Sequence, residues 1–151
     1  MEIEDLYQEI ILDHYRNPRN VCEGGDNGHI CVKHENPLCG DELSLQVEMG
    51  ENDRIADICY KARGCSISTS SASMMTEAVK GLNKEQAMEL IEAVRKMMHG
   101  EQVGDGLGDI EALQGVARFP VRIKCALLAW MALKDALQSV TLSAETGYDR
   151  N

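Results

Sequence analysis

The chain has 151 residues, 44% of them hydrophobic and 26% charged, which is the size and balance of one ordinary globular domain able to bury a core unaided. Its net charge of −10 argues against nucleic acid and anionic lipid as partners, since phosphate would repel it. No apolar run reaches the length of a membrane span, and the acidic start Met1-Glu2-Ile3-Glu4-Asp5 lacks the basic-then-apolar layout of a secretory signal.

A cytoplasmic location is therefore expected. The six cysteines, Cys22, Cys31, Cys39, Cys59, Cys65 and Cys125, are expected as free thiols or metal ligands rather than disulfides. No repeat or internal boundary is visible, so residues 1–151 read as a single domain.

Ile3, Leu6, Tyr7, Ile10, Ile11 and His14 recur at helical spacing over residues 3–15, and Asn17-Pro18 ends that helix. Residues 20–29 are rich in turn formers and read as a loop. A short strand is expected near Ile30–His34, then a turn at Asn36-Pro37-Leu38-Cys39-Gly40. Leu43, Leu45, Val47 and Met49 alternate with polar residues as in a half-buried strand. A hairpin turn at Gly50–Asp53 leads into a partner strand over residues 54–62. Three neighbouring strands with short connections imply an antiparallel sheet.

The periodicity turns helical after Cys65. Residues 66–79 place Ile67, Ser70, Ser71, Met74, Ala78 and Val79 on adjoining faces, and Gly81 stops the helix. Asn83 with Gln86 forms a capping-box pattern ahead of a helix to about Met98, with Ala87, Leu90, Ile91, Val94 and Met98 inward. A loop over 99–108 and a short helix near Ile110–Val116 follow. Pro120 suits the first turn of the last helix, whose buried stripe is Leu127, Trp130, Leu133 and Leu137, with a frayed tail after Ser143. Strands followed by helices predict an α+β fold: a three-stranded antiparallel sheet with helices packed mainly on one face.

Three cysteines stand in chemically suggestive settings. Cys39 occupies a Pro/Gly turn two residues before Asp41, where thiolate and carboxylate could face one metal ion. The same residues also fit a free loop thiol beside a turn-capping acid. Cys65 follows Gly64 and opens a helix, whose N-terminus favours the thiolate, although a small buried cysteine would also fit. Cys125 lies just after Arg122 and Lys124, which again favour thiolate, against the ordinary core role of a lone helical cysteine. No pair has CxxC spacing, so spacing by itself joins none of them.

At these residues the sequence resembles a known family. Asn36-Pro37-Leu38-Cys39-Gly40-Asp41, Gly64-Cys65-Ser66-Ile67-Ser68 and Arg122-Ile123-Lys124-Cys125-Ala126, together with the segment from Leu6 to Asn20, resemble the motifs of the IscU/SufU (NifU N-terminal-like) iron–sulfur assembly proteins. The likeness is to the SufU branch. Lys124 stands where IscU proteins have His, Phe119-Pro120-Val121-Arg122 replaces their Leu-Pro-Pro-Val-Lys chaperone motif, and Gly108–Val116 resembles the SufU insertion.

The resemblance implies Zn²⁺ held by Cys39, Asp41, Cys65 and Cys125, and a SufS-like cysteine desulfurase as partner, with other iron–sulfur assembly proteins downstream. Four anionic ligands on Zn²⁺ leave a net charge of about −2, which makes one thiolate a candidate to leave. Cys39, on its turn, is the expected sulfur acceptor and catalytic residue, its place at the ion taken by a partner's ligand, with Arg122 and Lys124 supporting the incoming persulfide. The chain would then act as a sulfurtransferase. The rival is a scaffold on which the same ligands hold iron or a [2Fe–2S] cluster, and a third reading is a structural zinc domain. Cys22, Cys31 and Cys59 match none of the motifs, and Cys31 and Cys59, on expected strands, are expected as small core or surface thiols. His14 is expected to be packed inside, and His29, His34 and His99 to face solvent.

Overall fold

The structure is a computed structural model that describes residues 3–23, 30–36, 40–101 and 106–146. Helix α1 (Ile3–Arg16) precedes strands β1 (Ile30–Asn36), β2 (Asp41–Met49) and β3 (Ile55–Arg63). Helices α2 (Ser66–Val79) and α3 (Lys84–Met98), a 3₁₀ segment (Gly108–Arg118) and the long helix α4 (Pro120–Thr146) complete it. The sheet has the order β1-β2-β3 with both pairs antiparallel, as the alternation predicts.

The period of two decides which face is covered. Leu43, Leu45, Val47, Ile58 and Tyr60 are buried, while Ser44 and Glu48 on the reverse face are exposed. Helices α2 and α4 lie against the buried face, with α1 and α3 packed outside them. Trp130, Leu133 and Leu137 of α4 point into this core, Leu127 only partly, and Ala126, Ala129, Ala132 and Ala136 are fully enclosed beside them. Helix α4 continues to Thr146, past the point where fraying is expected. Among the described residues no helix is long and apolar enough to cross a membrane.

Several local signals act as the sequence predicts. Asn83 and Gln86 form a reciprocal capping box at the start of α3, and Gly81 adopts φ +90° just after α2, a conformation that glycine reaches without steric cost. The turn between β2 and β3, Glu51–Asp53, takes left-handed backbone at Asn52 (φ 59°) and Asp53 (φ 55°).

Helix α2 differs from expectation. It is buried nearly all round rather than along a stripe, with Ser68, Ser70, Ser71, Ser73 and Thr76 each at most 2% exposed. The hydroxyls are satisfied internally, as burial demands. Ser70 Oγ donates to the Ile11 carbonyl at 2.7 Å. Ser71 Oγ donates to the Ala126 carbonyl at 2.6 Å and accepts from Trp130 Nε1 at 2.9 Å. Ser73 Oγ meets His14 Nδ1 at 2.8 Å. His14 is buried, as expected, and its Nε2 reaches Asp109 Oδ2 at 2.8 Å.

One expectation is corrected. Cys22 and Cys59 form a disulfide, not two independent thiols. The cause is the path of the chain after α1. Residues 20–22, read as loop from composition, run beside β3. Val21 bridges Tyr60 in parallel, Cys22 N–H donates to the Tyr60 carbonyl at 2.9 Å, and Tyr60 N–H donates to the Asn20 carbonyl at 3.1 Å. That pairing sets the two Cα atoms 4.9 Å apart, within disulfide reach.

Candidate metal centre

The sheet register builds the first half of the site. Glu42 pairs with Arg63, so the start of β2 and the end of β3 lie side by side. Asp41 is thereby set against Gly64 and Cys65. Asn36 pairs with Asp41 across the β1–β2 hairpin, which fixes Asp41 from its other side and leaves it 2% exposed. Cys65 is the N-cap of α2. The second half comes from α4, tied to α2 by the Ser71–Ala126 hydrogen bond, with Cys125 buried in its second turn.

The donor atoms of Asp41, Cys65 and Cys125 all lie within 4.8 Å of one another. Cys65 Sγ stands 3.5 Å from Asp41 Oδ2. Ligands on a tetrahedral zinc ion, with bonds near 2.0–2.3 Å, are separated by roughly 3.5–3.8 Å. The three donors therefore fit such an ion in both chemistry and spacing. They face a cleft of about 380 Å³ lined by Gly40, Asp41, Gly64, Cys65, Val121, Arg122 and Cys125.

The carboxylate of Asp41 is closely held. Oδ1 accepts the Cys65 backbone N–H at 3.1 Å, and Oδ2 accepts a hydrogen bond from Ser68 Oγ. Ser68 Oγ also lies 3.4 Å from Cys65 Sγ. Beneath the carboxylate sits Gly64, where a Cβ atom would collide with Asp41 Oδ1. Ser68 stands within the sequence motif Gly64-Cys65-Ser66-Ile67-Ser68, which by itself carries no indication of this role. The available signal was spacing, since Ser68 is three residues on from Cys65 and so shares its side of the helix.

The remaining candidates divide. Cys39 lies outside the described residues. The next residue, Gly40, lines the cleft with φ +73°. Arg122 is exposed on the cleft wall. Lys124 instead lines a neighbouring recess with His34, Glu35, Asn36, Leu127, Leu128 and Met131. His34 Nε2 meets Asp135 Oδ2 at 2.7 Å and is not in the donor cluster. His99 is exposed and its Nδ1 donates to the Arg95 carbonyl at 2.7 Å. His29 lies outside the described residues, and Cys31 is an exposed cysteine on β1.

A mixed sulfur–oxygen donor cluster in an open cleft, at the meeting of two strand ends and two helices, defines a small α+β metal-site protein. Comparison with known proteins gives the particular family. Residues 6–141 match the NifU-like N terminal domain, and the chain belongs to that family. It is 47% identical over 134 residues to the zinc-dependent sulfurtransferase SufU of Bacillus subtilis, covering 87% of this chain and 89% of that one. It is 43% identical over 139 residues to the iron–sulfur cluster assembly scaffold protein IscU of Streptococcus pyogenes, covering 91% and 86%. The fold matches a crystal structure from Fervidobacterium islandicum, described as a candidate scaffold for the SUF system, with TM-score 0.80 and 31% identity over 90% of this chain and 99% of that one.

Proposed function

We propose that the protein is a zinc-dependent sulfur acceptor in iron–sulfur cluster assembly, taking persulfide sulfur from a cysteine desulfurase in the cytoplasm and passing it to later assembly proteins. The observation that carries this reading is the convergence of Asp41, Cys65 and Cys125 donors within 4.8 Å in a chain 47% identical to a zinc-dependent sulfurtransferase. Zinc would be held by these three with Cys39, and when bound it keeps the thiols deprotonated.

Cys39 acts as the acceptor. Its thiolate attacks the terminal sulfur of the desulfurase persulfide, a new Cys39 sulfur–sulfur bond forms, the partner's sulfur–sulfur bond breaks, and the partner's cysteine leaves as thiolate. Cys65, at a helix cap, and Cys125, within α4, belong to regular elements and stay in place. Arg122 on the cleft wall offsets the negative charge of the incoming persulfide. Phe119 and Val121, 56% and 66% exposed beside Arg122, form an apolar rim suited to a docked partner.

The scaffold reading draws support from the likeness to the Streptococcus pyogenes protein. It is less favoured because the residue before Cys125 is Lys124, which lines the other recess and offers the cleft no ligand. Metal analysis of the purified protein followed by a desulfurase activation assay separates the readings. Tight zinc with activation supports transfer, bound iron with labile sulfide supports the scaffold, and zinc without effect on the desulfurase supports a structural role. Cys39→Ser should keep the fold and abolish sulfur acceptance. A Cys39→Ser protein that still loads sulfur fully would overturn the role of Cys39.

A further inference from the structure

We infer that Ser68 is a positioning residue for the metal centre, holding the Asp41 carboxylate in its ligating orientation without itself ligating. The inference rests on the metal-site reading above and gives a role to a residue that stands within the motif around Cys65 but outside the donor cluster.

Ser68 is the one buried hydroxyl of α2 that turns toward the donors, the others described being engaged by Ile11, Ala126, Trp130, His14 and Asn20. It touches two of the three donor side chains at once, through Asp41 Oδ2 and Cys65 Sγ. It is 2% exposed, so water does not readily take its place. A free carboxylate can rotate about its Cβ–Cγ bond and offer either oxygen. Here rotation is opposed from three sides. Ser68 holds Oδ2, the Cys65 N–H holds Oδ1, and Gly64, lacking a Cβ, leaves the space that Oδ1 occupies. The Cys65 N–H is backbone and survives any side-chain change, so Ser68 is the replaceable part of the clamp. Partners of this kind in other metal sites set ligand orientation and metal affinity.

The test measures zinc affinity directly, by competition with a chromophoric chelator, and needs no desulfurase. Ser68→Ala should weaken zinc binding about 10–100-fold, and Ser68→Thr, which keeps the hydroxyl, should recover most of it. In an Asp41→Ala background, Ser68→Ala should change zinc affinity less than about twofold, because the carboxylate it orients is gone. Cobalt-substituted protein gives a second readout. Its ligand-field bands should shift in Ser68→Ala while the thiolate charge-transfer bands persist.

Equal loss in the presence and absence of Asp41 would mean that Ser68 acts through the fold, and would overturn the inference. So would wild-type affinity in Ser68→Ala. Wild-type protein that binds no zinc would overturn the metal-site reading itself, and this inference with it.

Discussion

Gly64→Ala isolates the space beneath the Asp41 carboxylate. Gly64 is not among the glycines with positive φ, so alanine meets no backbone penalty and the effect is one of volume alone. The new Cβ would fall 2.6 Å from Asp41 Cγ and closer still to Oδ1. Asp41 must swing away, and in doing so gives up the bond from the Cys65 N–H or that from Ser68. A buried hydrogen bond to a charged group contributes about 1.5–3 kcal/mol. In a chain of this length each kcal/mol shifts the melting temperature by about 2–4 °C, so the variant should melt roughly 3–12 °C lower. Zinc affinity should fall about 10–100-fold, as for other losses of ligand orientation. Gly81→Ala is the contrasting control. Its φ of +90° makes alanine strained, with nothing within 4 Å of the added atom, so it should cost about 1–2 kcal/mol and leave zinc affinity unchanged. Differential scanning calorimetry and chelator competition read both effects. The reasoning fails if Gly64→Ala keeps wild-type zinc affinity, or if its thermal cost is undiminished in an Asp41→Ala background.

Other consequences are independent of the metal. The Cys22–Cys59 disulfide spans 37 residues, and the chain-entropy estimate for such a loop is about 4 kcal/mol. The backbone bonds to Tyr60 already hold the segment, so the measured loss of urea stability in reductant should fall below that ceiling, and Cys59→Ser should lose its sensitivity to reductant. Ser71→Ala leaves the buried Trp130 N–H without its acceptor and should cost about 1–3 kcal/mol, with a change in the emission of the chain's single tryptophan. Burial pushes the Tyr60 phenol above its ordinary 10.0, with the Ser73 hydroxyl as the smaller opposing influence. The folded state then holds that proton more tightly than the unfolded one. This contribution to stability is complete below pH 10.0 and is lost as pH rises through the folded value. Tyr60→Phe should flatten the alkaline fall in urea midpoint, and an identical fall in both proteins would refute the assignment.

The parts of this fold legible in the sequence are those set by neighbours in the chain. The alternation from Leu43 to Met49 predicts which face of β2 is buried, and Asn83 with Gln86 marks the start of α3. The three cysteine motifs point to the site through resemblance, and the donors of Asp41, Cys65 and Cys125 do meet. What escaped depends on partners distant in sequence. Residues 20–22 look like loop because a single edge contact with β3 leaves no periodic pattern, and the disulfide follows from that contact. Periodicity sets Ser70 and Ser71 beside Ile67 and Met74 but does not mark the other hydroxyls of α2, Ser68, Ser73 and Thr76, as buried. They are interior because each finds an acceptor or donor on α1, α4, the segment around Asn20 or, for Ser68, on Asp41 of β2, which composition cannot reveal. Arg122 and Lys124 look equivalent beside Cys125, yet two helical positions apart they turn to different recesses.

The core and the site are specified by the same pairing. A slip of one residue between β2 and β3 would bring Glu42 rather than Asp41 opposite Gly64, with a longer side chain where there is no room. The same slip would turn Leu43, Leu45 and Val47, now at most 1% exposed, toward the open face of the sheet. Exposing each would cost about 1.5–3 kcal/mol, so three together outweigh anything a rearranged carboxylate could return. The burial pattern of β2 thus holds Asp41 at Gly64 whether or not a metal is bound. The two sulfur donors come from a helix cap and a helix interior that the same core presses together. Metal binding therefore meets three donors that the fold has already brought together on the wall of the cleft.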